Sequence, residues 1–125
     1  MEFIPEIDIE VQTQFLEGDS YPEKQRFVFA YSITITNHSD GAVQLISRFW
    51  HIADANGKIQ EVHGEGVVGQ QPRIEPGKSF QYTSGAVLET AVGTMEGEYE
   101  FVTDNGSVFT APIPAFTLAD PISLH

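Results

Sequence analysis

The chain has 125 residues, a size at which one domain buries about two thirds of the surface its unfolded form exposes. It contains no cysteine, which excludes disulfides, thiolate zinc sites and a cysteine nucleophile, and suits a reducing compartment. Six Lys and Arg against eighteen Asp and Glu give a formal net charge of -12, which repels nucleic acid and anionic lipid, and leaves a diffuse attraction for cations or a basic partner.

The first residues, Met1-Glu2-Phe3-Ile4-Pro5-Glu6, lack the basic region and apolar core of a signal peptide. No stretch approaches the roughly 20 apolar residues of a membrane span, so the expected compartment is the cytoplasm. Strict alternation then begins with Ile7, Ile9, Val11 and Phe15, separated by polar residues, the period of a strand with one buried face. After a turn-rich loop, Gly18 to Pro22, the run Phe27 to Thr36 carries large apolar groups on odd positions and small or hydroxyl groups on even ones, the clearest strand in the chain. Asn37 to Gly41 is turn chemistry, and Val43 to Asp54 reads as a central strand, apolar on both faces.

Asn56-Gly57 is the strongest hairpin signal, because both central positions of a type I′ turn need positive φ. If those two residues are the loop, Ala55 pairs with Lys58, and Ile52, Trp50 and Arg48 lie opposite Glu61, His63 and Glu65 on one face. Ala53, His51 and Phe49 then lie opposite Gln60, Val62 and Gly64 on the other, whereas a longer loop would shift the register and its faces. Beyond Pro76-Gly77, strand pattern resumes at Phe80 and Tyr82, at Tyr99 and Phe101, and at Val108 to Ile113 after the turn Asp104-Asn105-Gly106; the stretch from Ser84 to Gly97 reads mostly as loop. Seven to eight short strands without an amphipathic helix predict one all-β domain over residues 1–125, an antiparallel β-sandwich of immunoglobulin-like or fibronectin type III-like kind, held together by packing alone.

The run Gly64-Glu65-Gly66-Val67-Val68-Gly69 spells the G-x-G-x-x-G of dinucleotide binding, but that signature works only between a buried parallel strand and a helix N-terminus. Here an apparent hairpin strand precedes it and Gln70-Gln71-Pro72 follows, so the glycines read as a backbone device at a twisted, sparsely clothed edge. The functional alternative is an exposed loop whose amides, with Gln70 and Gln71, contact an anion, a nucleotide pyrophosphate or a peptide. For a metal, His51 and His63 face opposite sides in the two-residue register. The better group is Glu61, His63 and Glu65, alternating about 6 to 7 Å apart on one face, although Arg48 is then expected to pair with Glu65 and Trp50 to cover His63. No carboxylate pair has a setting that would separate its pKa values, and Ser84, in Thr83-Ser84-Gly85, lacks a strand-to-helix elbow, so no enzymatic activity is expected. In Ile113-Pro114-Ala115-Phe116-Thr117-Leu118 the proline suits an edge strand, and Phe116 and Leu118 suit closure of the core.

Several blocks together closely resemble the ApaG family, also known as CorD: Arg48-Phe49-Trp50-His51-Ile52, Glu61 through Pro72, Pro76-Gly77, Tyr82-Thr83-Ser84-Gly85, Gly93 through Tyr99 and Ile113-Pro114-Ala115-Phe116. The resemblance runs from about Phe29 to Leu118 and departs at Phe49, where a polar residue or His is expected, and at Gln70, where Glu is usual. It implies a fibronectin type III-like sandwich and a bacterial protein linked genetically to cobalt resistance and magnesium efflux, often encoded beside a diadenosine tetraphosphate hydrolase. It also implies kinship with interaction modules of larger eukaryotic proteins, among them an F-box protein and a partner of DNA polymerase δ, and it brings neither cofactor nor catalytic residue. The expectation is a non-enzymatic interaction domain with an unidentified protein partner. Its binding surface is expected at Gly64, Glu65, Gly66, Gly69, Gln70 and Gln71 and the adjoining Tyr82 and Ser84, with Arg48, Trp50, Asn56, Gly57, Pro72, Pro76 and Gly77 in structural roles. A divalent cation or nucleotide is the alternative ligand, and open sheet edges leave room for self-association.

Overall fold

The computed structural model describes residues 3–122. In chain order it forms β1 (Ile7–Phe15), two single 3₁₀ turns, β2 (Phe27–Asn37), β3 (Val43–Asp54), β4 (Ile59–Glu65), β5 (Arg73–Ile74), β6 (Ser79–Leu88), β7 (Val92–Thr103) and β8 (Val108–Ala119). The strands make two antiparallel sheets, β1-β2-β6 and β4-β3-β7-β8, with the two-residue β5 also paired to β3. This is the expected all-β sandwich, and among the described residues no helix is long and apolar enough to cross a membrane.

Alternation in β2 explains the packing directly. Phe27, Phe29, Tyr31, Ile33 and Ile35 turn inward and are buried, while the intervening small and hydroxyl residues face out. Opposite them the second sheet contributes Leu45, Trp50, Met95, Tyr99, Phe101, Ile113 and Leu118, all at or below 2% exposure. Each such side chain contributes about 1.5 to 3 kcal/mol on burial, the main stabilising term here. β1 and β8 lie against each other along one side, and Pro112 and Pro114 sit on β8, an edge strand that tolerates residues without an N–H. Pro76 and Gly77 occupy the turn between β5 and β6, where the Gly77 amide donates to the Asn37 carbonyl at 2.7 Å. The buried Asn37 amide in turn donates to Gly41 and Ile74 carbonyls, tying three segments together.

Two sequence expectations need correction. The stretch from Ser84 to Gly97 is not mostly loop: β6 runs to Leu88 and β7 starts at Val92. Pairing with β2 on one side and with β3 and β8 on the other overrides the weak strand propensity of its glycines, alanines and serines. The β3–β4 register is also one residue off. Asn56 and Gly57 are not the whole loop, because Asp54 pairs with Lys58 through its amide at 3.0 Å and leaves Ala55, Asn56 and Gly57 between them. The Asp54 carboxylate accepts from the amides of Asn56 and Lys58, both at 2.9 Å, and of the loop residues only Gly57 has positive φ, at 85°. That is the three-residue loop with glycine in the left-handed position.

The slip exchanges the faces. Trp50 opposes Val62 and Arg48 opposes Gly64, toward the core, while His51 opposes Glu61, Phe49 opposes His63 and Ser47 opposes Glu65 on the outer face. Trp50 therefore does not cover His63, Arg48 does not pair with the Glu65 carboxylate, and His51 and His63 share a face. Phe49 is the residue against His63, with ring centroids 4.5 Å apart.

Candidate functional site

The glycine run follows β4 and folds into a second, smaller hairpin. Val67 and Gln70 exchange both backbone hydrogen bonds, at 2.8 and 2.9 Å, and the turn between them is Val68-Gly69, with φ of 43° and 79°. A turn with both central residues at positive φ suits the right-handed twist of the strands it joins. Val67 points into the core with no exposure, whereas Val68 is 51% exposed in a backbone conformation that β-branched residues rarely adopt.

The small hairpin is stitched to β3 where that strand shifts register between Leu45 and Ser47. The Gly66 amide and the Gln71 side-chain amide both donate to the Ile46 carbonyl, at 2.8 and 2.9 Å. Arg48 Nη1 donates to the Gly66 carbonyl at 2.9 Å, Gln44 donates to the Gln71 carbonyl at 3.1 Å, and Leu45 donates to the Pro72 carbonyl at 3.0 Å. Gly64 makes room for the arginine, since a Cβ there would stand 2.5 Å from Nη1. The amides of Gly66, Val67 and Gln70 are thus engaged inside the protein and form no anion cradle, and no helix follows Gly69.

Tyr82 and Ser84 lie within β6 and not in a turn, in the inward-facing set opposite Ile33 and Tyr31, and Tyr82 is buried. Its hydroxyl meets that of Tyr99 across the two sheets. Burial pushes both phenols up from the ordinary tyrosine value of 10.0, and the nearby Arg48 offsets this only in part. Losing either hydroxyl strands the other, so Tyr82→Phe and Tyr99→Phe should each cost about 1–3 kcal/mol, with the double variant costing less than the sum. Above pH 10 the unfolded chain gives up these protons while the folded one keeps them. The stability they contribute is therefore fully present below the unfolded pKa and is lost as pH rises past it. Urea midpoints measured from about pH 9 to 11 should fall more steeply for the natural chain than for the double variant.

Glu61, His63 and Glu65 project outward from β4, exposed. Among the described residues no three His, Asp or Glu side chains are placed to hold one metal ion, and His51 and Glu61 make a pair at 3.8 Å. The corrected register brings together an outer face that the sequence reading missed. Phe49 and His51 of β3 lie beside Glu98 and Glu96 of β7, and Glu98 lies beside Pro112 of β8. The alternation of Glu96, Glu98 and Glu100 is visible in the sequence, but the neighbours of those residues depend on the register.

The ApaG domain model matches residues 17–103. Protein ApaG of Azoarcus sp. strain BH72 is 55% identical over 119 residues, covering 95% of this chain and 94% of that one. Protein ApaG of Salmonella arizonae is 51% identical over 121 residues, with 97% of each covered. Among solved structures, the crystal structure of the putative ApaA protein from Bordetella pertussis superposes with a TM-score of 0.91 at 45% identity, covering 94% of this chain and 95% of that one. With the stitched glycine hairpin on a two-sheet sandwich, and relatives of this identity along nearly their full length, the chain belongs to the ApaG family.

Proposed function

We propose that this domain is a non-enzymatic interaction module that accepts an extended segment of a partner protein along the open edge of β4, beside the glycine hairpin. The observation that carries this reading is the position of β4. It pairs only with β3, exposes its outer face while Val62 packs against the core, and leads into a hairpin already fixed by its own hydrogen bonds. Such an edge offers a row of backbone donors and acceptors that a partner strand can satisfy. A preformed neighbour such as the Val68 tip lowers the ordering cost of association. The Gly66, Val67 and Gln70 amides and the Gln71 side chain are engaged in holding the loop, which supports binding over chemistry. The cobalt-resistance and magnesium-efflux connection of the ApaG resemblance then belongs to the partner's pathway, with the module acting in the cytoplasm.

The edge can be blocked without touching the fold's ladder. Counting from the Gly66 amide bonded to Ile46, hydrogen-bonded pairs alternate along β4, which points the His63 amide away from β3. His63→Pro should therefore fold yet abolish capture of the proteins that the natural chain and His63→Ala both recover from a lysate. Equal capture by all three would overturn the reading. A natural chain that sediments as a dimer beside a monomeric His63→Pro would make the occupant a second copy of the domain.

A further inference from the structure

We infer that the outer face of the five-stranded sheet is a second docking groove, separate from the β4 edge, built for a segment that presents an apolar side chain flanked by Lys or Arg. A concavity of about 500 Å³ lies across β3, β7 and β8, floored by Phe49, Gly97, Pro112, Pro114 and Ala115 and rimmed by Glu96 and Glu98. It shares Phe49 and Glu98 with a second hollow of about 490 Å³ that is lined also by Arg48, His63, Glu65 and Glu100. The β7–β8 register shifts between Met95 and Gly97, and a Cβ on Gly97 would stand 2.0 Å from the Phe49 carbonyl, so the β7 and β3 backbones approach each other closely there.

Three features select the occupant. First, the mixed polar and apolar lining includes a half-buried aromatic ring, Phe49, beside Pro112, Pro114 and Ala115 on the outer sheet face. Second, among the described residues no cation pairs with Glu96, Glu98 or Glu100: Lys58 is spent on Glu89, and Arg73 on Glu75 and Asp104. Like charges on neighbouring sheet positions repel, and a partner's cations would relieve that repulsion. Third, Pro112 and Pro114 remove amides from the β8 edge, so the segment lies on the face and does not extend the sheet.

The experiment is a titration of the ¹⁵N-labelled chain with the capped peptide Lys-Gly-Lys-Leu-Lys-Gly-Lys, followed by amide chemical shifts at low salt. Shifts should concentrate at Phe49, Gly97, Glu98 and Ala115, and Glu96→Gln with Glu98→Gln should weaken binding roughly tenfold. The Glu-for-Lys peptide should produce no shift, and Gly in place of Leu should weaken binding. Both glutamates are exposed, so the variant's remaining signals should overlay those of the natural chain. The inference is overturned by no shift at millimolar peptide, by unchanged affinity in the double variant, or by indifference to Leu. Shifts spread equally onto Asp8 and Glu10 of the other sheet would also overturn it, since they would report net charge alone. Ile59→Pro, at a β4 position that by the same alternation points its amide away from β3 and lies opposite Ala53, not Phe49, should bind this peptide normally, which separates the groove from the β4 edge.

Discussion

Replacing Trp50 by Ala is expected to lower the free energy of unfolding by about 3–5 kcal/mol, measured by urea denaturation. Trp50 is 2% exposed and makes edge-on contacts with Tyr31 at 5.4 Å, Phe116 at 5.8 Å and Tyr99 at 6.4 Å between ring centroids. Those three rings come from β2, β8 and β7, so the indole bridges the two sheets and also joins three strands of its own sheet. In a fold without disulfides the two sheets are held together by side-chain contacts of this kind. A domain of this size is stable by about 5–15 kcal/mol in total, so the loss takes about a fifth of the margin at least. Trp50→Phe should cost less. It keeps much of the apolar volume and removes an indole N–H that is buried with no acceptor among the described residues, a group that itself carries a penalty of about 1–3 kcal/mol. A Trp50→Ala loss below about 1 kcal/mol would contradict the core described here.

Legibility in the sequence followed how locally each feature is determined. Strand β3 begins at Val43 and ends at Asp54 as read, and β2 was legible to within a residue, because dense β-branched and aromatic residues at period two leave no competing structure. The region around Gly85, Gly93 and Gly97 lacked that signal. Its strand character comes from neighbours that are distant in sequence, and the glycines serve close backbone approach: a Cβ at Gly93 would stand 2.6 Å from the Ala53 carbonyl. The largest consequence came from one side chain. Asn56-Gly57 announced a hairpin correctly, but the Asp54 carboxylate binds two loop amides and lengthens the loop by a residue. That single slip decides whether Arg48 faces a carboxylate or the Gly66 carbonyl, and whether His63 rests against Trp50 or Phe49. The acidic outer groove could not be assembled from the sequence either. Its residues come from three strands whose alignment rests on one turn and two register shifts.

Gly66→Ala should be the most damaging change in the glycine block, and the comparison with Gly69→Ala shows why spacing alone does not rank the glycines. Both residues have positive φ, 64° and 79°, and Ala pays about 1 kcal/mol or more for that conformation at either position. At Gly69 nothing lies within 4 Å of the added Cβ, so the backbone cost is the whole effect, and Gly69→Asn should recover much of it. At Gly66 the same methyl would stand 2.2 Å from the Gln70 carbonyl, which is the acceptor for Val67 and part of the small hairpin's only rung. Backbone cannot swing aside as a long side chain can. Relief requires opening that rung or lifting Gly66 from the Ile46 carbonyl, and either movement draws the fully buried Val67 out of the core. The expected cost is roughly 3 kcal/mol or more, the sum of strain, lost hydrogen bonding and lost burial. Urea midpoints of the two alanine variants measured side by side test this. Equal midpoints would mean that the block is defined by backbone angle alone and that the close approach to Gln70 is relieved at little cost.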